Sequence, residues 1–416
     1  MSELTDWEKT TLGKHCVICT GKKDVNEGEK FGIYPFFTCS RNHIYSNKFS
    51  FDTEALLIAG NGEVGNVEYY KGKFEAYQRT YVLDKFDINI QYIYHLLKYS
   101  LKDTLSRSHA GSVIQFIKLE DLTEFAFFYP TNNQEMVRIV SILDTIDTAI
   151  QQTQAIINKL KQLKQGLLHD LLTRGVGANG ELRPCYDDAP HLYKESPLGS
   201  IPNDWECVAT RDLCSIITKG TTPSAGEMWQ GFGGVPFLRV DNLYFDGSIN
   251  FQASNFRISA NTHSGLLSRS MCIFNDVLMN IVGPPLGKLG LIDESLGSAN
   301  INQAIAMFRP TNDVISQYLL IWLSGMIAKE WLRCRAKQTS GQVNLTLELC
   351  QQLPIPKISI SEQQRIVDQL QAMKQKINYE ASYLNKLEQN KTALMDDLLT
   401  GRIRVTSLLQ AEASSA

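Results

Sequence analysis

The chain has 416 residues, too long for one average domain of about 150, so two or three units are expected. Its hydrophobic fraction of 43% and charged fraction of 20% are those of a globular protein with ample material for cores. A net charge of −3 weighs against a uniformly basic nucleic-acid binder, but leaves room for one that carries basic loops on a single face.

The chain opens on the polar, acidic Met1-Ser2-Glu3-Leu4-Thr5-Asp6, not on a secretory signal. It contains no apolar run long enough to span a bilayer, and its nine cysteines are scattered. The expectation is a cytoplasmic protein with reduced thiols and no membrane partner.

Residues 1–132 read as a first globular domain of mixed α/β character. Glycine-rich turns such as Gly60-Asn61-Gly62 separate its β-rich runs. Cys16, Cys19, Cys39 and His43 have a C-x2-C…C-x3-H spacing compatible with structural zinc. However, Cys16 has an equivalent in Cys214, whereas Cys19 falls opposite Ile217. A duplicated strand with ordinary thiols explains the spacing better, and no metal is expected.

Residues 133–174 read as one long helix. Steps of four and three give Ile139, Leu143, Ile146, Ile150, Thr153, Ile157, Leu160, Lys164, Leu167 and Leu171. This 3.5-residue period is that of a coiled-coil seam. Residues 175–202, rich in Gly, Pro and Asp, read as a linker.

Residues 203–360 read as a second globular domain. Val235-Pro236-Phe237-Leu238-Arg239-Val240 and Ala304-Ile305-Ala306-Met307-Phe308 are predicted strands, and Val314 to Arg335 a predicted helix. Residues 361–404 read as a second long helix and 405–416 as a tail. Its seam is Ile366, Leu370, Met373, Ile377, Glu380, Leu384, Leu387, Lys391, Leu394 and Leu398, each 227 residues after its counterpart in the first helix.

The repeat extends beyond the helices. Asn158 to Gly175 and Asn385 to Arg402 share ten of eighteen positions. Asp6-Trp7-Glu8 matches Asp204-Trp205-Glu206, and Tyr34-Pro35-Phe36 matches Val235-Pro236-Phe237. Both seams break at the same places, Thr153/Glu380 and Lys164/Lys391. Shared breaks favour two helices that pair with each other over two that pack separately. The predicted fold is α+β: two globular domains separated by two long helices in an antiparallel coiled coil, with a pseudo-two-fold internal repeat.

Enzyme signatures are missing. The sequence has no P-loop, no G-x-G-x-x-G between a strand and a helix, no G-x-S-x-G and no H-E-x-x-H. Gly283-Pro284-Pro285-Leu286 is similar to the proline pair of amino-methyltransferases, but lacks their leading Asp or Asn and their following aromatic ring. No catalytic residue is assigned.

What remains is recognition chemistry. Basic, amide and hydroxyl residues gather in predicted loops: Lys22 and Lys23; Arg41 and Asn42; Arg79; Ser106, Arg107 and His109; Lys219, Thr221 and Thr222; Arg239 and Asn242; and Arg335, Lys337, Gln338, Ser340 and Gln342. Arg and Lys neutralise phosphates, Arg reads guanine, and Asn or Gln reads adenine. Each loop alone is an ordinary solvated turn; their recurrence in both halves points to DNA. Two other classes fit the bare sequence: a coiled-coil scaffold that binds no nucleic acid, and an enzyme with an unrecognised site.

The order of motifs resembles the specificity subunit of type I restriction-modification systems over essentially the whole chain. The resemblance is carried by Ser196-Pro197-Leu198-Gly199-Ser200-Ile201-Pro202-Asn203-Asp204-Trp205-Glu206, Lys219-Gly220-Thr221-Thr222-Pro223, the Val235–Val240 strand, Glu362-Gln363-Gln364-Arg365-Ile366-Val367 and Leu398-Leu399-Thr400-Gly401-Arg402. The first half departs from it, with Gly21-Lys22-Lys23-Asp24 where the second has Gly220-Thr221-Thr222-Pro223, and Gln134-Glu135-Met136 in place of Glu362-Gln363-Gln364.

The resemblance implies a non-catalytic subunit with two target-recognition domains, each reading half of a bipartite site in double-stranded DNA. The helices then act as a spacer, about 60 Å long at 1.5 Å per residue, and dock two methylation subunits. Restriction subunits join the complex. The chain holds no cofactor; S-adenosylmethionine, ATP and Mg belong to the partner subunits. By the same resemblance, the assembled complex would be a DNA adenine methyltransferase and an ATP-dependent endonuclease.

Overall fold

The computed structural model describes residues 6–108, 116–339 and 342–409, and the chain divides into two compact units. Unit 1 comprises 1–156 and 380–416; unit 2 comprises 157–379. Each long helix therefore contributes one segment to each unit.

Unit 1 is built on a six-stranded sheet in the order Val17–Thr20, Thr80–Asp84, Phe51–Ala59, Val67–Ala76, Tyr34–Phe37, Ile44–Ser46. Neighbours are antiparallel except Tyr34–Phe37, which runs parallel to Val67–Ala76. Side chains alternate along the central strand, as the pleat requires. Leu56 and Ile58 enter the core beneath the helix Ile90–Ser108, where Ile93, Leu97, Leu101 and Leu105 recur every four residues. Ala55 and Leu57 face the other way, against Phe37, Phe74 and Val82. A separate pair of strands joins Trp7–Thr11 to Ala126–Pro130.

Unit 2 has a four-stranded sheet, Cys214–Lys219, Ile305–Pro310, Val277–Asn280, Leu289–Leu291, and a five-stranded one, Met228–Gln230, Phe256–Ile258, Val235–Leu238, Ala299–Ile301, Met271–Cys272. Val235–Leu238 repeats the arrangement of Tyr34–Phe37, with an antiparallel neighbour on one side and a parallel one, Ala299–Ile301, on the other. The single helix expected over Val314 to Arg335 is in fact two, Ser316–Ser324 and Met326–Arg335. Gly325 interrupts them with extended backbone, and a Cβ there would lie 2.6 Å from Leu172 Cδ1.

The Gly175–Pro202 stretch, expected as a linker, is packed structure. Val176 is fully buried in the unit 2 core, and Tyr193–Ser196 pairs with Gly199–Pro202 as a hairpin.

The long helices run Asn133–Thr173 and Ile360–Leu399. The second stops short of the expected residue 404. Gly175 (φ +67°) and Gly401 (φ +71°) follow the two ends in left-handed conformation, which glycine adopts without penalty. In unit 1, Ile139 and Leu143 share a core with Met395 and Leu398, and Asp147 forms an ion pair with Lys391, so the two segments run antiparallel. In unit 2, Leu171 shares a core with Ile366 and Leu370.

The predicted seam positions are buried or half-buried: in the first helix Ile139, Leu143, Ile146, Ile150, Ile157, Leu160, Leu167 and Leu171, and in the second Ile366, Leu370, Met373, Ile377, Leu384, Leu387, Leu394 and Leu398. Among the described residues, no helix is long and apolar enough to cross a membrane.

Candidate nucleic-acid interface

The same module occurs once in each unit. It begins with a glycine directly after a strand. A Cβ on Gly21 would sit 1.9 Å from the Ala76 carbonyl oxygen, and one on Gly220 1.8 Å from that of Ile301. Ala76 and Ile301 each end the strand that runs parallel to the X-Pro-Phe strand.

A capped 3-10 turn follows. The Asp24 amide donates to Glu27 Oε1 at 3.0 Å ahead of Val25–Glu27, and the Ser224 amide to Glu227 Oε2 at 3.0 Å ahead of Ala225–Glu227. The chain then turns through a loop into Tyr34–Phe37 or Val235–Leu238, where Phe36 and Phe237 are fully buried. The capping residues were legible as Asp-x-x-Glu and Ser-x-x-Glu, a signal that a search for basic loops passes over.

The predicted residues fall into distinct environments. Lys22, Arg79, Arg107, Lys219, Arg239 and Arg335 are exposed, as are Asn42, Ser106, Thr221 and Thr222. Lys23 donates to Glu27 at 2.6 Å, and this bond raises its pKa and lowers that of Glu27, so its charge is locally matched. Arg41 lies 3.3 Å from Glu63. Thr221 accepts a bond from Arg269 at 3.3 Å, and Thr222 bonds Gln303. The Arg239 guanidinium sits 5.0 Å from the centre of the Phe256 ring, and that of Arg335 4.4 Å from Trp331.

Three expectations change. Asn242 is fully buried, and its side-chain amide donates to the carbonyls of Asn250, Phe251 and Ser254. It shapes its own loop and presents nothing to an outside ligand. Ser106 and Arg107 belong to the last turns of the helix Ile90–Ser108 and not to a loop, and Ser106 Oγ donates to the Lys102 carbonyl at 2.8 Å. The expected loop after Arg335 is a hairpin in which Lys337 and Gln338 lie on the strand Lys337–Thr339 and Gln342 starts Gln342–Asn344. His109 and Ser340 lie outside the described residues.

Cys16, Cys39 and His43 are engaged separately: the thiols face the carbonyls of Leu12 and Arg79, and His43 faces Glu68.

A second repeated cluster fastens each unit. In unit 1, Arg404 makes two 2.7 Å bonds to Glu135, lies 3.6 Å from Asp6, and sits 6.0 Å from the Trp7 ring centre. In unit 2, Arg183 bonds Glu362 at 3.1 Å and Asp204 at 2.7 Å, 5.8 Å from the Trp205 ring centre. Glu135 therefore corresponds to Glu362, one residue from the alignment read in the sequence, and the departure from the family pattern is confined to Met136 and Val137 in place of Gln363 and Gln364. Sequence reading found the Asp-Trp pairs and missed the arginines, because Arg183 and Arg404 stand in stretches read as linker and helix end.

The family described as Type I restriction modification DNA specificity domain matches the chain twice, over residues 5–162 and 202–389. The EcoDI specificity subunit of the type I restriction enzyme from Escherichia coli is 31% identical over 231 residues, 52% of this chain and 51% of that one, so the matched part spans about half of that relative. The MjaVIII specificity subunit of the type I restriction enzyme from Methanocaldococcus jannaschii is 24% identical over 423 residues, covering 97% of this chain and 94% of the relative. The crystal structure of a type I restriction-modification S subunit from M. genitalium shares the fold, with a TM-score of 0.55 at 17% identity over 96% of this chain and 97% of that one.

Proposed function

Because the chain belongs to the type I restriction modification DNA specificity domain family, we propose that it is a non-catalytic DNA-reading subunit in which each unit reads one half of a bipartite target. The observation that supports this most is the module of close-packed glycine, capped turn and X-Pro-Phe strand, present once in each matched segment. Two equivalent frameworks that display different side chains suit two different half-sites.

On this reading the exposed cations Lys22, Arg41, Arg79, Arg107, Lys219, Arg239 and Arg335 meet phosphates. Asn42, Thr221 and Thr222 are offered to base edges. The two long helices set the gap between half-sites and carry two methylation subunits. S-adenosylmethionine chemistry belongs to those partners, and ATP and Mg to restriction subunits, all in the cytoplasm. The target adenine is flipped into a partner's pocket.

Methylome sequencing of a host that expresses this chain with its methylation subunit tests the proposal. A split motif with a fixed non-specific gap is expected; a continuous palindrome sinks it. Mobility shifts across a salt series give a second reading. Affinity should fall steeply as salt rises, because bound phosphates release counterions.

A further inference from the structure

Among the described residues, the two most exposed large hydrophobic side chains are Phe232, at 97%, and Phe31, at 80%. They are equivalent. Phe31-Gly32-Ile33-Tyr34-Pro35-Phe36 and Phe232-Gly233-Gly234-Val235-Pro236-Phe237 align without a gap, and both lead into the strand that pairs antiparallel on one side and parallel on the other. Two diverged copies thus display a phenyl ring at the same position of the same module.

Both loops are held while their rings are left out. In unit 2, Arg257 Nε donates to the Gly231 carbonyl at 2.7 Å and Trp229 Nε1 to the Phe232 carbonyl at 3.2 Å. In unit 1, Glu29 and Tyr45 exchange backbone bonds of 2.8 and 2.9 Å just before Phe31, and a Cβ on Gly32 would meet the Ser46 amide at 2.8 Å. Displaying a ring on a fixed backbone forgoes the stabilisation that burying it gives.

The surroundings identify what covers it. Lys30 Nζ lies 5.7 Å from the Phe31 ring centre, and the Arg257 guanidinium sits under the Phe232 loop. An apolar tip on a cationic base matches stacked bases between phosphates. The chain on either side of Phe232 is Gln230, Gly231, Gly233 and Gly234, with the partly exposed Trp229 beside it, and Ile33 is exposed two residues after Phe31.

We propose that Phe31 and Phe232 are base-contacting tips, one per half-site, each placing its ring against the bases in a groove of the DNA. This inference rests on the DNA-reading function proposed above.

The test uses the full-length chain and a pool of duplexes with a randomised centre, selected by binding and sequenced. The wild type enriches a split motif. Phe232→Ala should blur the half of the motif read by unit 2 and weaken binding roughly ten- to a hundredfold, and Phe31→Ala should do the same to the other half. The salt dependence should keep its slope, because no phosphate contact is lost, and Phe232→Trp should retain binding. Thermal melts of these surface variants should match the wild type.

An unchanged motif and affinity in both alanine variants overturns the proposal while leaving the DNA-reading function intact. The proposal also fails if a variant changes the salt slope and keeps the motif, or if it keeps binding and loses only co-purification with a partner protein. If the wild type enriches no motif, the DNA-reading function falls and the tips with it.

Discussion

Gly21 and Gly220 are fixed by space and not by backbone angle: the carbonyl oxygens of Ala76 and Ile301 occupy the place a Cβ would take. Gly166 offers the contrast, with nothing within 4 Å of its missing Cβ and a helix on either side. Gly220→Ala should therefore cost about 1–3 kcal/mol through overpacking, while Gly166→Ala should gain about 0.5–1 kcal/mol of helix stability. Chemical denaturation of the two variants checks the pair; equal effects would show that the approach at Gly220 relaxes. The sequence placed both glycines at matching points of the repeat, but not the carbonyls that require them. Those lie on strands far along the chain, and nothing local in Gly21-Lys22-Lys23-Asp24 or Gly220-Thr221-Thr222-Pro223 refers to them. Asn242 was misread for the same reason: amide chemistry is visible in a sequence, and burial is not.

At the scale of elements, the buried face of each long helix was legible because its apolar period is local. The partners of its polar breaks were not, because antiparallel register is a long-range property. Lys164 and Lys391 are equivalent by repeat yet meet different neighbours. Lys391 pairs with Asp147, both largely buried. Lys164 has Lys374 and Asp246 nearby, and burial followed by Lys374 lowers its pKa below the ordinary 10.5. Opposite effects follow from the same substitution. Lys391→Leu should destabilise unit 1 by about 1–3 kcal/mol, because it strands Asp147. Lys164→Leu should stabilise unit 2 by about 0.5–1 kcal/mol. The wild type should also gain stability as pH rises from the lowered pKa of Lys164 towards 10.5, since the unfolded chain binds the proton more tightly there. The Lys164→Leu variant should lack that gain. Urea titrations of both variants at neutral pH and near pH 10 measure all three effects; a loss of stability in Lys164→Leu would mean that its ammonium is satisfied after all.

At the scale of the molecule, each unit is closed by an arginine that arrives from the segment after a long helix. Arg183 follows the first helix and fastens unit 2; Arg404 follows the second and fastens unit 1. The carboxylates they meet are among the most buried acids in the chain, Glu135 at 0% and Glu362 at 3% exposure. The Coulomb gain of such a pair is largely spent on desolvation, so the pair adds little net stability, but removing one partner leaves a charge in the core without compensation. Arg404→Met should thus destabilise unit 1 by about 3–5 kcal/mol and leave unit 2 as it was, and Arg183→Met should do the reverse. Each variant should turn a calorimetric melt into two separated transitions, with the early one in the unit that lost its arginine. The cycle is completed by Arg404→Met with Glu135→Gln, which removes both charges and should recover most of the loss. If the double variant is as unstable as the single one, packing of the guanidinium on Trp7, and not the buried charge, is what Arg404 supplies.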